Sequence, residues 1–281
     1  MSETKGEGLF APGHLACAGC GAAIAMRMLL EATGKDIVVC HATGCMEVVS
    51  TQTPLTSWRV PWIHANFENA VSVASGVKAA LSYAGNEHTN VIALGGDGGI
   101  IDIGFGALSG ALERGDDILI ICYDNNAYSN TGMQRSGATP MYAATTTTPA
   151  GKLTHGKQQP VKDVPAIVAA HGAAYVATAS IAYPQDLKAK IAKAMQMHGS
   201  RYIHIHTPCP VGWGIDSSET VEIGRLAVQT GMWQLFEIEN GIKHATVEVK
   251  ERKPVTDYLM RQKRFKHLTE KEIEEIQRSV G

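Results

Sequence analysis

Gly96-Asp97-Gly98 and Asn125-Asn126 are the residues whose types and spacing bear most directly on chemistry. A glycine-flanked acid lies in Leu94-Gly95-Gly96-Asp97-Gly98-Gly99. An amide pair closes the apolar run Ile118-Leu119-Ile120-Ile121-Cys122-Tyr123-Asp124-Asn125-Asn126. Mg2+ is a hard cation that takes oxygen ligands in an octahedron, usually one or two protein carboxylates plus phosphate and water. Asp97 can offer a carboxylate oxygen and Asn125 an amide oxygen, while the glycines let backbone N–H groups approach a diphosphate closely. Gly-Asp-Gly alone is more often a tight turn, and Asp-Asn-Asn a loop start. Their pairing, each at the end of an apolar run, turns the reading toward a metal–diphosphate site.

The elements that must position these residues read as a βαβ unit. Residues 90–94 form a short apolar run ending in glycines, the pattern of a buried strand. Residues 102–114 carry Ile103, Phe105, Ala107, Leu108, Ala111 and Leu112, then Arg114-Gly115, which predicts a helix with a basic last turn and a glycine stop. Residues 117–123 form the next strand. A right-handed crossover then brings Asp97 and Asn125 to strand C-termini, where open α/β sheets bind ligands. The expected fold is α/β, a mostly parallel sheet with helices on both faces.

Six cysteines form the second candidate constellation. Cys17-Ala18-Gly19-Cys20 precedes a helical pattern (Ile24, Met28, Leu29) and by itself suits a redox pair, half a zinc site or half an iron–sulfur site. Residues 36–45 read as a strand ending in a turn, which puts Cys45 at a strand end, and residues 201–210 read the same way, with Cys209 just past a strand between Pro208 and Pro210. Four thiolates can hold a [4Fe–4S] cluster or a structural Zn2+. Zinc sites usually draw on paired, locally spaced ligands, so the isolation of Cys45 and Cys209 favours a cluster. Cys40 and Cys122 lie inside apolar strand patterns and read as small buried hydrophobes. His204 and His206 share one face of a strand; without a third partner at a telling spacing, a structural role is expected.

Gly96-Asp97-Gly98 with the later Asn125-Asn126 resembles the thiamine diphosphate signature, and Asp124-Asn125-Asn126-Ala127-Tyr128-Ser129-Asn130-Thr131-Gly132 narrows it. The stretch from about residue 10 to about 240 is similar to the cofactor domain of the 2-oxoacid:ferredoxin oxidoreductases, in their separate β-subunit form. The resemblance implies that Asp97 and Asn125 are Mg2+ side-chain ligands and that Ala127 gives its backbone carbonyl. It implies cofactor contacts along Gly96, Gly98, Gly99, Asn126, Tyr128 and Ser129 and at Cys45, with Asn130 near the reacting thiazolium carbon. Cys17, Cys20, Cys45 and Cys209 match the family's cluster ligands in order and context. Where some members have glutamate after Cys20-Gly21, this chain has Ala22, which leaves only a backbone contact there.

The implied activity is coenzyme A-dependent, reversible oxidative decarboxylation of a 2-oxoacid with electrons passed to ferredoxin. Residues 128–132 and 135–140 resemble the pyruvate branch; branched-chain 2-oxoacids, oxalate, and a non-redox thiamine enzyme half with a structural zinc site are the alternatives. The glutamate that activates thiamine belongs in this family to another subunit. No second thiamine domain and no C-x2-C-x2-C-x3-C run is found. An α-type subunit and a ferredoxin-like cluster subunit are therefore expected partners.

At 281 residues the chain suits one large domain, taken as 1–240, with residues 241–281 as an extension or subunit-contact arm. Its final 30 residues are charged and read as a solvated helical tail capped at Thr269. The formal net charge of −2 is scattered and suggests no nucleic acid. No apolar run reaches the roughly 20 residues of a membrane span. No charged-then-apolar leader precedes residue 16, so a reducing cytoplasm is the expected location. Residues 63–84 read as one buried helix beginning with a polar cluster (His64, Asn66, Glu68, Asn69), and 184–199 as another. Residues 128–162 show no period and read as a lid or subunit contact.

Overall fold

A computed structural model describes residues 8–52 and 54–280. Its strands are β1 (Ile37–Ala42), β2 (Trp62–Ala65), β3 (Asn90–Gly96), β4 (Leu119–Asp124), β5 (Tyr175–Ser180), β6 (Arg201–His206), β7 (Phe236–Glu239) and β8 (Ile242–Ala245). They form a single sheet in the order β2-β1-β3-β4-β6-β5-β7-β8. The first six in that order are parallel, and β7 and β8 add antiparallel strands at one edge. The expected mostly parallel α/β architecture is borne out.

Side-chain alternation along the strands divides the core in two, because successive residues point to opposite faces. Ile92 and Leu94 pack with α1 (Gly21–Thr33) and α6 (Pro184–Met195). Val91 and Ala93 pack on the other face with α3 (Ala70–Tyr83), α4 (Phe105–Arg114) and α5 (Val164–Ala170). Both faces are covered, which is why β3 and β4 carry near-continuous apolar runs rather than alternating ones.

The register aligns the strand ends that matter. Cys40 lies beside Ala93, Gly96 beside Tyr123, and Asp124 beside His206. The chain goes from β1 outward to β2 and then returns to β3 on the other side of β1. The loops after β1 and β3 therefore diverge, opening the kind of crevice in which α/β sheets hold ligands.

Three expectations are revised. Residues 63–84 are not one helix: Trp62–Ala65 is an edge strand paired with β1, a turn follows, and the helix begins at Ala70. Ile63 and Phe67, four apart, mimicked helical spacing, but Ile63 sits on the edge strand and Phe67 in the turn. Residues 102–114 open with a π-helical turn, Gly98–Ile103, before α4 begins. The helix beginning at Pro184 ends at Met195.

The C-terminal residues are also less solvated than their charge suggested. Val255, Tyr258, Leu259, Phe265 and Ile276 form a third core with Trp213 and with Ile223 and Leu226 of α8 (Thr220–Gln229). The segment contains α9 (Thr256–Leu259) and α10 (Glu270–Ser279), which starts with the expected Thr269 cap, reciprocated by Glu272. Among the described residues no helix is long and apolar enough to cross a membrane. Because Phe265 is completely buried, Phe265→Ala is expected to destabilise the fold by about 3–5 kcal/mol, read by denaturant unfolding. An unfolding midpoint equal to the parent's would show that this segment lies outside the cooperative core.

Candidate cofactor and thiol site

Asp97 sits at the joint between β3 and the π-helical turn, fully buried. Its Oδ2 accepts a hydrogen bond from Ser136 Oγ at 2.5 Å, while its Oδ1 is buried with no partner. Burial, reinforced by the charge of Asp124, pushes its pKa well above the usual carboxylate range. A bound divalent cation reverses that balance. A buried carboxylate oxygen without a partner, on a residue that lines a cavity, is what a hard metal would use.

Asn125 and Asn126 follow β4 and point to different places. Asn125 Oδ1 accepts from Ser129 Oγ at 2.6 Å, and its backbone carbonyl accepts from Trp213 Nε1 at 2.8 Å. Asn126 has a left-handed backbone (φ 64), which its backbone N–H and Nδ2 hold by donating to Asp124 Oδ1 at 2.7 and 2.9 Å. Its Oδ1 accepts from Arg264 Nη2 at 3.1 Å. The Asn126 side chain is thus committed to shaping the turn, and it does not line the cavity.

Two cavities open side by side at this edge. The first, about 130 Å3, is walled by Asp97, the backbone at Gly96, Gly98 and Gly99, and the segment Ala127–Thr131, with Phe67 opposite. Phe67 meets Tyr128 edge-on at 5.6 Å between ring centroids. The second, about 400 Å3, is lined by Cys17, Cys20, Cys45 and Cys209 together with Ala22. Cys45, Asn125, Ser129 and Asn130 line both.

The loops that carry the thiols are tied to one another. Cys20 occupies the N-cap position of α1, and Gly21 N–H donates to the Pro208 carbonyl at 3.2 Å, so the Cys-x-x-Cys turn lies against the Cys209 loop. Cys45 begins α2 (Cys45–Ser50), and Cys209 caps α7 (Pro210–Trp213), with its Sγ accepting from Gly212 N–H at 3.4 Å. Burial raises the pKa of Cys20, Cys45 and Cys209, and that of Cys45 reaches about 12 with Cys209 and Cys20 adding to the effect. Coordination to a metal would deprotonate such thiols outright. Cys40 and Cys122 are buried in strands away from both cavities.

Sequence reasoning gave no role to several residues that build the site. Ser136 and Thr139 are buried beside Asp97 and the Asn126 carbonyl. Lys157 secures their loop by donating to the carbonyls of Gly137, Thr139 and Pro160. The long segment 128–162 holds no helix or sheet strand, yet its middle is packed inward. His204 and Asp124 make a buried pair at 3.0 Å behind the turn, and Tyr202 OH meets the other His204 nitrogen, in keeping with a structural histidine. Apart from the structural role expected of His204, only the polar residues at 135–140 hinted at any of this.

Residues 38–205 match the thiamine pyrophosphate enzyme C-terminal TPP-binding domain. The chain is also 55% identical over 274 residues to pyruvate synthase subunit PorB of Methanothermobacter thermautotrophicus, covering 98% of this chain and 95% of that one. The chain belongs to the pyruvate synthase PorB family. As a PorB-family member it is a subunit of a thiamine diphosphate-dependent oxidoreductase. It is 43% identical over 281 residues to ketoisovalerate oxidoreductase subunit VorB of Pyrococcus abyssi, covering 98% and 90% of the two chains. Its fold resembles that of 2-oxoglutarate:ferredoxin oxidoreductase from Magnetococcus marinus, with a TM-score of 0.58 and 22% identity over 76% of this chain and 77% of that one.

The PorB-family assignment gives the glycine walls a direct test. A Cβ on Gly98 would come within 2.4 Å of the Tyr128 ring. Gly98→Ala is expected to cost about 1–3 kcal/mol of stability by overpacking and to weaken thiamine diphosphate binding at least about tenfold, measured by calorimetric titration. Parent-like affinity would show that the close approach of this backbone has no bearing on the cofactor.

Proposed function

We propose that this chain is the β subunit of a 2-oxoacid:ferredoxin oxidoreductase, holding thiamine diphosphate through Mg2+ in the first cavity and one [4Fe–4S] cluster in the second. The reaction is coenzyme A-dependent oxidative decarboxylation of pyruvate to acetyl-coenzyme A and CO2, reversible, with two electrons leaving singly toward ferredoxin. One observation carries the reading: a bare buried carboxylate oxygen and four cysteines occupy neighbouring cavities with a common wall. When bound, thiamine diphosphate supplies the electron sink that releases CO2, and the cluster supplies a one-electron acceptor beside it.

This chain's own residues hold and enclose. Asp97 Oδ1, Asn125 Oδ1 and the Ala127 carbonyl supply oxygens for the metal, and the backbone at Gly96, Gly98 and Gly99 faces the diphosphate. Phe67 and Tyr128 keep water from one side. Ala22 contributes only backbone, and Asn130 stands at the shared wall, in reach of reacting groups from either side. Among the described residues no three histidine, cysteine, aspartate or glutamate side chains are gathered tightly enough to chelate one ion. The cluster reading rests instead on the four cysteines that line one cavity and on the match of their order and context to the 2-oxoacid:ferredoxin oxidoreductases.

The first cavity is smaller than the roughly 300–1,000 Å3 of a pocket that encloses a whole ligand. That supports a site completed by an α-type subunit. A ferredoxin-like cluster subunit and ferredoxin then carry the electrons away. The pyruvate assignment follows the PorB relatives, with a branched-chain 2-oxoacid as the substitute their VorB counterpart suggests.

The β chain, separated anaerobically from the ferredoxin-like subunit, is expected to contain roughly four iron and four acid-labile sulfides, with visible absorption that dithionite bleaches. Zinc without iron would overturn the cluster. Asp97→Ala should weaken Mg2+-dependent thiamine diphosphate binding at least about 100-fold while keeping the iron. Cys209→Ala should lose or convert the cluster while the cofactor still binds. Undiminished cofactor affinity in Asp97→Ala would refute the metal assignment.

A further inference from the structure

Arg264 is buried in the third core, yet it carries a charge that nothing so far explains. Its guanidinium lies 3.8 Å over the Trp213 ring. Its Nε donates to Gln262 Oε1 at 2.8 Å, and its Nη2 donates to Asn126 Oδ1 at 3.1 Å and approaches Tyr258 OH at 3.5 Å. All of these partners are neutral, and among the described residues no carboxylate forms an ion pair with it. A guanidinium does not lose its proton inside a protein. Buried charges are costly unless paired.

Anions are nearby, but one of them is already engaged. Asp124 is occupied by His204 and by the Asn126 backbone and side-chain N–H groups. Burial pushes the Arg264 pKa down, and the acidic groups that oppose this are Tyr258, Asp124 and Cys209. The backbone places Arg264 beside the Cys209 turn. Trp213, under the guanidinium, ends the short helix that Cys209 caps, and a Cβ on Gly214 would meet the Lys263 side chain at 2.7 Å.

We propose that Arg264 is the buried countercharge of the iron–sulfur cluster, a positioning residue that the C-terminal segment presses against the Cys209 turn to favour the reduced cluster. The proposal rests on the cluster assigned above to Cys17, Cys20, Cys45 and Cys209. Four thiolates leave a cluster with net negative charge, and each added electron raises that charge by one. A fixed cation in a low-dielectric surrounding therefore stabilises the reduced form more than the oxidised form. The hydrogen bond to Asn126 joins the same cation to the turn that carries Asn125.

The test is an EPR-monitored redox titration of this chain's cluster in the assembled anaerobic complex. Arg264→Met is expected to shift the reduction equilibrium at least tenfold against the reduced form, about 59 mV for a one-electron couple. Arg264→Lys, which keeps the charge and loses the planar stack, is expected to load the cluster and stay within threefold of the parent. An Arg264→Met cluster titrating at the parent potential would overturn the proposal. So would Arg264→Lys shifting as far as Arg264→Met, or failing to hold the cluster. If Arg264→Met does not load while Arg264→Lys does at the parent potential, the charge requirement stands. Absence of iron from the parent's β chain, once separated from the ferredoxin-like subunit, would instead sink the cluster reading itself, before any variant is compared.

Discussion

The carboxylate of Asp97 is held out of water with one oxygen bonded to Ser136 and the other bare, and much of the molecule is arranged to keep it there. Left alone, such a group is unfavourable as an anion, because burial and the neighbouring Asp124 both oppose its charge. Its position is nevertheless fixed by the parallel sheet, by the π-helical turn that starts immediately after it, and by an inward-packed loop anchored through Lys157. A scaffold that holds such a carboxylate so firmly fits the proposed Mg2+, which would make its charge favourable.

The second feature of the site is economy of position. β1, β3, β4 and β6 are consecutive in the sheet, so Cys45, Asp97, Asn125 and Cys209 leave adjacent strand ends on one edge. α1 brings Cys17 and Cys20 to the same edge through its contact with the Pro208 carbonyl. Asn125 lies at the meeting point, with its side chain in the common wall and its carbonyl tied to Trp213. The C-terminal segment reaches this point as well, through Arg264 on Trp213 and Asn126. Cofactor turn, thiol loop and C-terminal core are therefore one mechanical unit.

How much of this was legible in the sequence depended on the range of the interactions. Strands β3 and β4 were readable because burial on both faces makes them nearly continuous apolar runs, and Asp97, Asn125 and the four cysteines were readable because the proposed chemistry calls for those side chains at strand ends. The edge strand Trp62–Ala65 was lost, since a four-residue strand beside an i, i+4 apolar pair looks like helix. The inward packing of Ser136, Thr139 and Lys157 follows from tertiary contacts with no periodic trace. Arg264 was hidden among basic neighbours, and nothing local distinguishes a guanidinium that ends on a tryptophan face from one that ends in water. Asn126 was legible as a motif residue but not as a turn-former, because its left-handed backbone is set by Asp124.

The proposed metal-held diphosphate and iron–sulfur cluster share a wall formed by Cys45, Asn125, Ser129 and Asn130. Anomalous diffraction at the iron edge, from anaerobic crystals of the complex loaded with thiamine diphosphate, tests this arrangement most directly. An iron peak among the sulfurs of Cys17, Cys20, Cys45 and Cys209 is expected, with diphosphate density reached through a metal from Asp97. Iron absent from that cavity, or diphosphate density with no link to Asp97, would contradict it.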